Sequence, residues 1–165
     1  MKIVIVSDTH GNWPVAAEAI RAEGSIDYLI FLGDYASDGR QLEKALQVPS
    51  FIVRGNCDTF SDELEEQLIE LGEWRFFICH GHRYNVKQTL QPLYYRGLEL
   101  QADFVLYGHT HQAVYEEGEV TLINPGAVCG VNLRMDNASW GLLTLSEKKS
   151  ENIFRKYEKK TCQNL

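Results

Sequence analysis

An α/β domain built from two packed β-sheets is predicted by three observations. Short apolar runs at residues 2–6, 28–32 and 50–54 read as strands buried on both faces, and the first two lead into helical patterns. The second half instead alternates extended runs with short turns, which is the pattern of hairpins. Most of the runs also stop at polar residues flanked by glycine or carrying aspartate, the place where open α/β sheets put ligand sites. A βα-rich start and a hairpin-rich remainder predict two sheets packed in one domain, spanning residues 1–165.

Each element has its own warrant. Ile3-Val4-Ile5-Val6 is β-branched throughout and ends in Ser7-Asp8-Thr9-His10-Gly11-Asn12. Pro14 then opens a helix at its first turn, where the missing N–H has no partner to lose, and the pattern runs to Gly24. Tyr28 to Leu32 is a second buried strand stopping at Gly33-Asp34, and a polar helix is expected from Gly39 to Leu46. Ser50 to Arg54 is a third strand, stopping at Gly55-Asn56-Cys57-Asp58. Residues 67–78 read as a hairpin whose second strand runs into Cys79-His80-Gly81-His82. Val86 to Gln101 has roughly helical spacing, weakened by Pro92 and Gly97. Asp103 to Tyr107 is the next strand, leading into Gly108-His109-Thr110-His111. Val114-Tyr115 and Val120 to Ile123 make a hairpin ending in Asn124-Pro125-Gly126. A closing hairpin is expected from residues 140–145 and 153–157.

Composition excludes several classes. A chain of 165 residues can bury a core of its own, and no stretch approaches the ~20 apolar residues of a membrane span. The start has too short an apolar run for a signal-peptide core, so a cytoplasmic protein is expected. The net charge of −7, without a basic stripe, makes nucleic acid a poor bulk partner. The cysteines Cys57, Cys79, Cys129 and Cys162 form no CxxC pair and are expected as reduced thiols.

The histidines point to metal. All five, His10, His80, His82, His109 and His111, fall in three short clusters after apolar runs. With Asp8, Asp34 and Asn56 they offer carboxylate, amide and imidazole donors. That mixture suits Mn²⁺, Fe, Co²⁺, Ni²⁺ or Zn²⁺ better than Mg²⁺ or Ca²⁺. Residues two apart in an extended stretch point the same way, so Asp8 can converge with His10, and His109 with His111. Seven candidate ligands, Asp8, His10, Asp34, Asn56, His80, His109 and His111, exceed the needs of one tetrahedral ion. Two ions sharing a carboxylate, suited to attack on phosphorus, are the economical arrangement.

The series Asp8-x-His10, Gly33-Asp34, Gly55-Asn56-x-Asp58, His80-Gly81-His82, Gly108-His109-Thr110-His111 and Asn124-Pro125-Gly126 resembles the calcineurin-like metallophosphoesterase superfamily. The short chain is most similar to its small bacterial and archaeal phosphodiesterase branch. The resemblance implies a four-layer sandwich, two mixed sheets flanked by helices, with two divalent transition ions at the strand ends, Mn²⁺ foremost. One ion would be held by Asp8, His10, Asp34 and His111, the other by Asp34, Asn56, His80 and His109, with Asp34 as bridge. It implies hydrolysis of small phosphodiesters by a hydroxide bridging the ions, with Asn56 stabilising charge and Asp58 orienting His10 or a neighbouring group. Cys57 departs from the family's larger members, which carry histidine there as general acid; the small branch tolerates cysteine. A thiol of pKa ~8.5 is a weaker proton donor, so substrates with good leaving groups are expected.

Other residues are candidates on weaker grounds. Arg134 could clamp a substrate phosphate bidentately, and His82 could touch substrate or support His80. Trp13, Tyr35 and Phe60 follow metal motifs, though packing is the first expectation for each. The competing functions are a non-catalytic, retromer-type scaffold of the same fold, a phosphomonoesterase, or a nuclease. A homo-oligomer is compatible with all of them.

Overall fold

The computed structural model describes residues 1–128 and 138–146. The first sheet contains β1 (Lys2–Val6), β2 (Tyr28–Phe31), β3 (Ser50–Ile52) and β9 (Gly141–Thr144), in the order β3-β2-β1-β9. The second contains β4 (Glu66–Leu71), β5 (Trp74–Cys79), β6 (Phe104–Leu106), β7 (Ala113–Glu116) and β8 (Thr121–Pro125), in the order β4-β5-β6-β8-β7. Both sheets are mixed. β1 pairs parallel with β2 and antiparallel with β9, while β6 runs parallel to β5 and β8 and the outer strands β4 and β7 run antiparallel.

Alternation along the strands decides what each face meets. In β1, Ile3 and Ile5 join Ile30, Phe76, Ile78, Phe104, Leu106 and Ile123 in the core between the sheets. Val4 and Val6 point the other way, onto α1 (Trp13–Arg21) and α2 (Ala36–Leu46), where they pack with Ala16, Ala17, Ile20, Phe31 and Leu42. On the far side, Phe77, Val105 and Leu122 meet Leu93 of α3 (Gln91–Glu99). Four layers result, helices outside two sheets, and because the central strands are covered on both faces their buried stretches are mostly apolar.

Several bounds differ from the sequence expectation. α2 begins at Ala36 rather than Gly39, because Ala36 N–H is capped by Asp58 Oδ1 at 2.8 Å. The helix expected from Val86 begins only at Gln91: residues 82–84 form a 3₁₀ turn, Asn85 is left-handed at φ 54°, and Pro92 takes the first helical turn, where its lost N–H is harmless. The third strand stops at Ile52: Val53 N–H makes the last bond to β2, at Phe31 O, and Arg54 N–H turns away to Leu64 O. Residues 153–157, expected as the last strand, lie outside the described residues. No helix among the described residues is long and apolar enough to cross a membrane.

Candidate metal centre

Two triads of metal-ligating side chains assemble at the carboxyl ends of the central strands. Ligand atoms of Asp8, His10 and His111 lie within 4.8 Å of one another, and those of Asp34, His80 and His109 form a second such group. The first follows β1 and β6; the second follows β2, β5 and β6. Backbone bonds lock the loops together: Asp8 N–H donates to Gly33 O, and Gly108 N–H to His80 O, each at 3.1 Å. His109 N–H, serving one triad by its ring, donates at 3.1 Å to Asp8 Oδ2 of the other.

The backbone here is unusual. Asp8, His10, Asp34, His109 and His111 all adopt left-handed conformations, with φ between 46° and 68°. Such non-glycine residues are rare and concentrate where function demands a geometry that the surroundings enforce. The parity expectation therefore needs correction. Asp8 and His10 do converge, but through left-handed turns rather than along an extended strand. His109 and His111 fall in different triads, the division the family resemblance implied and not the convergence strand parity gave, because positive φ at both breaks strand alternation.

The enforcing residues went unnoticed in the sequence. Asp38, buried in α2, accepts from Thr9 Oγ1 at 2.7 Å and from Gly11 N–H at 2.8 Å, bracketing His10 on both sides. Asn124, fully buried, donates to Gly108 O (2.9 Å) and Thr110 Oγ1 (3.1 Å), holding the loop between the two histidines. Asp8 also accepts from Ser7 Oγ at 2.5 Å. Gly55 and Gly108 are close approaches: a Cβ on the first would collide with the Asp34 carboxylate, and on the second with Ser7 Oγ. The signal available in sequence for Asp38 was a carboxylate one helical turn after Asp34, in a helix read as a solvated one.

Electrostatics distinguish the triads. His80 is fully buried and its Nδ1–H donates to Leu32 O at 2.7 Å, which turns Nε2 into the site. That atom has no hydrogen-bond partner and lies 3.4 Å from Asp34 Oδ1. A buried ring nitrogen without a hydrogen bond beside a carboxylate is an arrangement a metal cation would satisfy. Burial, with the charge of His80, pushes the His109 imidazole down to about 4, so it is a neutral donor at physiological pH. In the first triad, burial pushes the Asp8 carboxyl up, but the His111 hydrogen bond, His80 and Ser7 outweigh it and hold Asp8 below its ordinary value. The same bond, 3.0 Å from His111 Nε2 to Asp8 Oδ1, raises His111. Both donor sets suit a divalent transition ion: carboxylate and imidazole, held by backbone partners.

The remaining candidates have different places. Asp34 falls in the second triad only. Asn56 is exposed after β3, with Nδ2 3.4 Å from Cys57 Sγ. Cys57 N–H donates to Asp34 Oδ1 at 2.9 Å, and burial together with the Asp34 carboxylate pushes its thiol up to about 11. Asp58 contacts neighbouring backbone rather than His10, accepting from Ala36 and Gly55 N–H at 2.8 Å. The His82 ring centroid is 5.5 Å from that of His80 and 6.1 Å from that of His109, and burial lowers its pKa. Trp13 packs on the α1–α2 side of the first sheet, as expected. Tyr35 sits edge-on to His10 at 5.2 Å and is 43% exposed; Phe60 is 99% exposed and packs on nothing. Arg134 and Cys129 lie outside the described residues. Cys79 is a buried free thiol.

Comparison with known proteins agrees with this architecture. The family model for the calcineurin-like phosphoesterase superfamily domain matches residues 1–148. The chain is 37% identical over 148 residues to the probable metallophosphoesterase YsnB of Bacillus subtilis, covering 88% of this chain and 85% of that one. It is 34% identical to phosphodiesterase MJ0936 of Methanocaldococcus jannaschii, covering 79% and 86% respectively. Among solved structures, Vps29 of Entamoeba histolytica complexed with Zn²⁺ shares the fold, with TM-score 0.72 at 20% identity over 88% of this chain and 86% of that one.

Proposed function

The chain belongs to the calcineurin-like phosphoesterase superfamily, and on that premise we propose that it is a dinuclear metal-dependent phosphodiesterase acting on small phosphodiesters. The observation that carries the proposal is His80 Nε2, a buried ring nitrogen without a hydrogen-bond partner facing a carboxylate. Names of the relatives, a phosphodiesterase and a probable metallophosphoesterase, support the substrate class. We read residues 1–165 as one domain, cytoplasmic, with Mn²⁺ the first metal to test and Ni²⁺, Fe, Co²⁺ and Zn²⁺ behind it.

Asp8, His10 and His111 would hold one ion, and His80, His109 and Asn56 the other, with Asp34 shared between them. When bound, two divalent ions supply Lewis-acid charge at the phosphoryl oxygens and water activated for attack at neutral pH. The chain's own residues do the rest. Asn56, exposed at the mouth, offers its amide N–H to a phosphoryl oxygen as charge builds there. Asp58 ties the start of α2 to Gly55 and so fixes the loop bearing Asn56 and Cys57. Cys57 faces the leaving oxygen; with its thiol near 11 it keeps its proton through the working range and releases it reluctantly. Good leaving groups are therefore favoured. Neutral His82 and Arg134 are the groups nearest in role to substrate binding.

A scaffold of the Vps29 kind is the second reading, favoured by the shared fold alone. Six aspartate and histidine side chains in two complete triads argue for catalysis instead. The test is hydrolysis of bis(p-nitrophenyl) phosphate beside p-nitrophenyl phosphate after reconstitution with Mn²⁺, Ni²⁺ or Co²⁺, with Asn56→Ala as control. Turnover of the diester, lost in the variant, is expected. No turnover with any metal would favour the scaffold, and a faster monoester would make the protein a phosphatase.

A further inference from the structure

A cavity of about 350 Å³ opens beside the triads, between the start of α2 and the loop after β3. Cys57 lines it, and Cys57 N–H donates to Asp34 Oδ1 at 2.9 Å, so the cavity lies next to the second triad. Ser37 and Arg40 form the helix side, Asp58 and Ser61 the loop side, and Phe60 stands at the rim.

The charges of this cavity are already paired. The Arg40 guanidinium donates to Glu63 at 2.6 Å and to Glu43 at 3.1 Å. Both Asp58 oxygens accept backbone N–H groups. The lining therefore does not suit the anionic part of a substrate, which belongs with the metals. Phe60 contrasts with everything around it: a whole aromatic face stands in water, at 99% exposure, three residues from Cys57. A single exposed apolar side chain is ordinary on a protein surface, but this one borders a cavity whose wall residue Cys57 is hydrogen-bonded to Asp34 of the second triad. Tyr35, 43% exposed and edge-on to His10, adds a second ring on the same side of the centre. Hydroxyls beside an aromatic face suit a flat ring that carries polar groups better than an alkyl chain.

Resting on the hydrolase reading of the two triads, we infer that this cavity is the leaving-group subsite. It selects phosphodiesters whose departing alcohol bears a flat aromatic ring, an aryl alcohol or a nucleoside, stacked on Phe60. Hydrolysis breaks the P–O bond to that alcohol. The oxygen of water goes to phosphorus, its proton to the departing oxygen, and the ring leaves as the free alcohol past Cys57.

The experiment uses the full chain reconstituted with Mn²⁺, together with Phe60→Ala and Phe60→Trp, on three diesters. These are methyl p-nitrophenyl phosphate, a dinucleoside monophosphate, and glycerophosphocholine, whose two alcohols are both aliphatic. In Phe60→Ala the ratio of kcat/KM for the aromatic diesters over the aliphatic one falls about tenfold, through KM, as loss of one stacking contact implies. Phe60→Trp keeps the ratio. A larger fall for the dinucleoside than for the aryl diester identifies a nucleoside as the fitting group; the reverse identifies an aryl alcohol. Calorimetric titration of the metal-free protein with adenosine gives a readout apart from turnover, and binding should weaken about tenfold in Phe60→Ala. An unchanged ratio, or equal loss on all three diesters, overturns the subsite while leaving the hydrolase reading intact. Equal loss accompanied by a change in mass by light scattering would reassign Phe60 to a subunit contact. Failure of the wild-type chain on all three diesters overturns the hydrolase reading, and the subsite with it.

Discussion

His80 Nε2 lies 3.4 Å from Asp34 Oδ1 with no hydrogen bond between them, while the other ring nitrogen is committed to Leu32 O. Bringing the two together in a dry site is unfavourable until a cation joins them. Divalent transition metal should therefore raise the melting temperature of the wild-type chain, by the equivalent of about 2.7 kcal/mol at a hundredfold excess over Kd. His80→Ala should lose the ion of the second triad and much of that increase. A metal-dependent shift of equal size in His80→Ala, followed by differential scanning calorimetry, would contradict the assignment.

Protons should compete with metal differently at the two triads. His111 is raised by its bond to Asp8, whereas burial and His80 push His109 down to about 4. Lowering the pH should empty the triad of Asp8, His10 and His111 first. Metal content after dialysis across pH 5 to 8, compared between His10→Ala and His80→Ala, reads each triad separately. Loss from the second triad at the higher pH would be inconsistent with these shifts.

The same shifts set the stability of the metal-free chain. A His109 whose folded value lies near 4 penalises protonation of the folded state, so its contribution is present above about 6.5 and lost as pH falls from there toward 4. His111 has the opposite sign: its contribution is complete below about 6.5 and fades as pH rises through its elevated value. Urea denaturation of His109→Gln should show a shallower loss between pH 6.5 and 4 than wild type, and an unaltered slope would discount His109.

Asp38 should act on metal binding without touching metal. Its carboxylate holds Thr9 and Gly11 around the left-handed His10. Asp38→Ala leaves two donors without their partner, a loss of about 1–3 kcal/mol each where they are buried. It should weaken the ion of the first triad about 10- to 100-fold, as removal of groups that orient ligands does, and leave the second within a few-fold. Asp38→Asn, which keeps an acceptor, should recover part of the affinity. Equal weakening at both triads by metal titration would reduce Asp38 to a general stabilising residue.

Cys57 should limit the leaving groups accepted. With its thiol pushed up to about 11, it is a reluctant acid near neutrality. Cys57→His should gain on poorer leaving groups relative to good ones, steepening no further with leaving-group pKa than wild type. A Brønsted series over substituted phenyl diesters measures this, and equal loss across the series would sink it.

Much of the centre was legible because metal ligands are chemically conspicuous. Asp8, His10, Asp34, His80, His109 and His111 each end an apolar run, and their types alone indicated a cation. The residues that shape the site were not legible in the same way. Asp38 and Asn124 have the composition of a solvated helix and an ordinary turn, and only their burial shows that they hold backbone. The parity reading of His109 and His111 failed for the same reason: side-chain alternation assumes extended backbone, and φ at both is positive. Phe60 was expected to pack, as an aromatic in a loop usually does, and stands in water instead.

By itself, the sequence determined the two sheets, the covering helices and the set of candidate metal donors, because apolar periodicity and donor chemistry are local properties that each segment carries wherever it lies. Only the tertiary structure decided how closely the donors of each group approach, which carboxylate enforces the left-handed loops and where an aromatic face meets a cavity. Those depend on distances between segments up to a hundred residues apart, such as His111 Nε2 at 3.0 Å from Asp8 Oδ1, and no local pattern encodes a distance that packing alone creates.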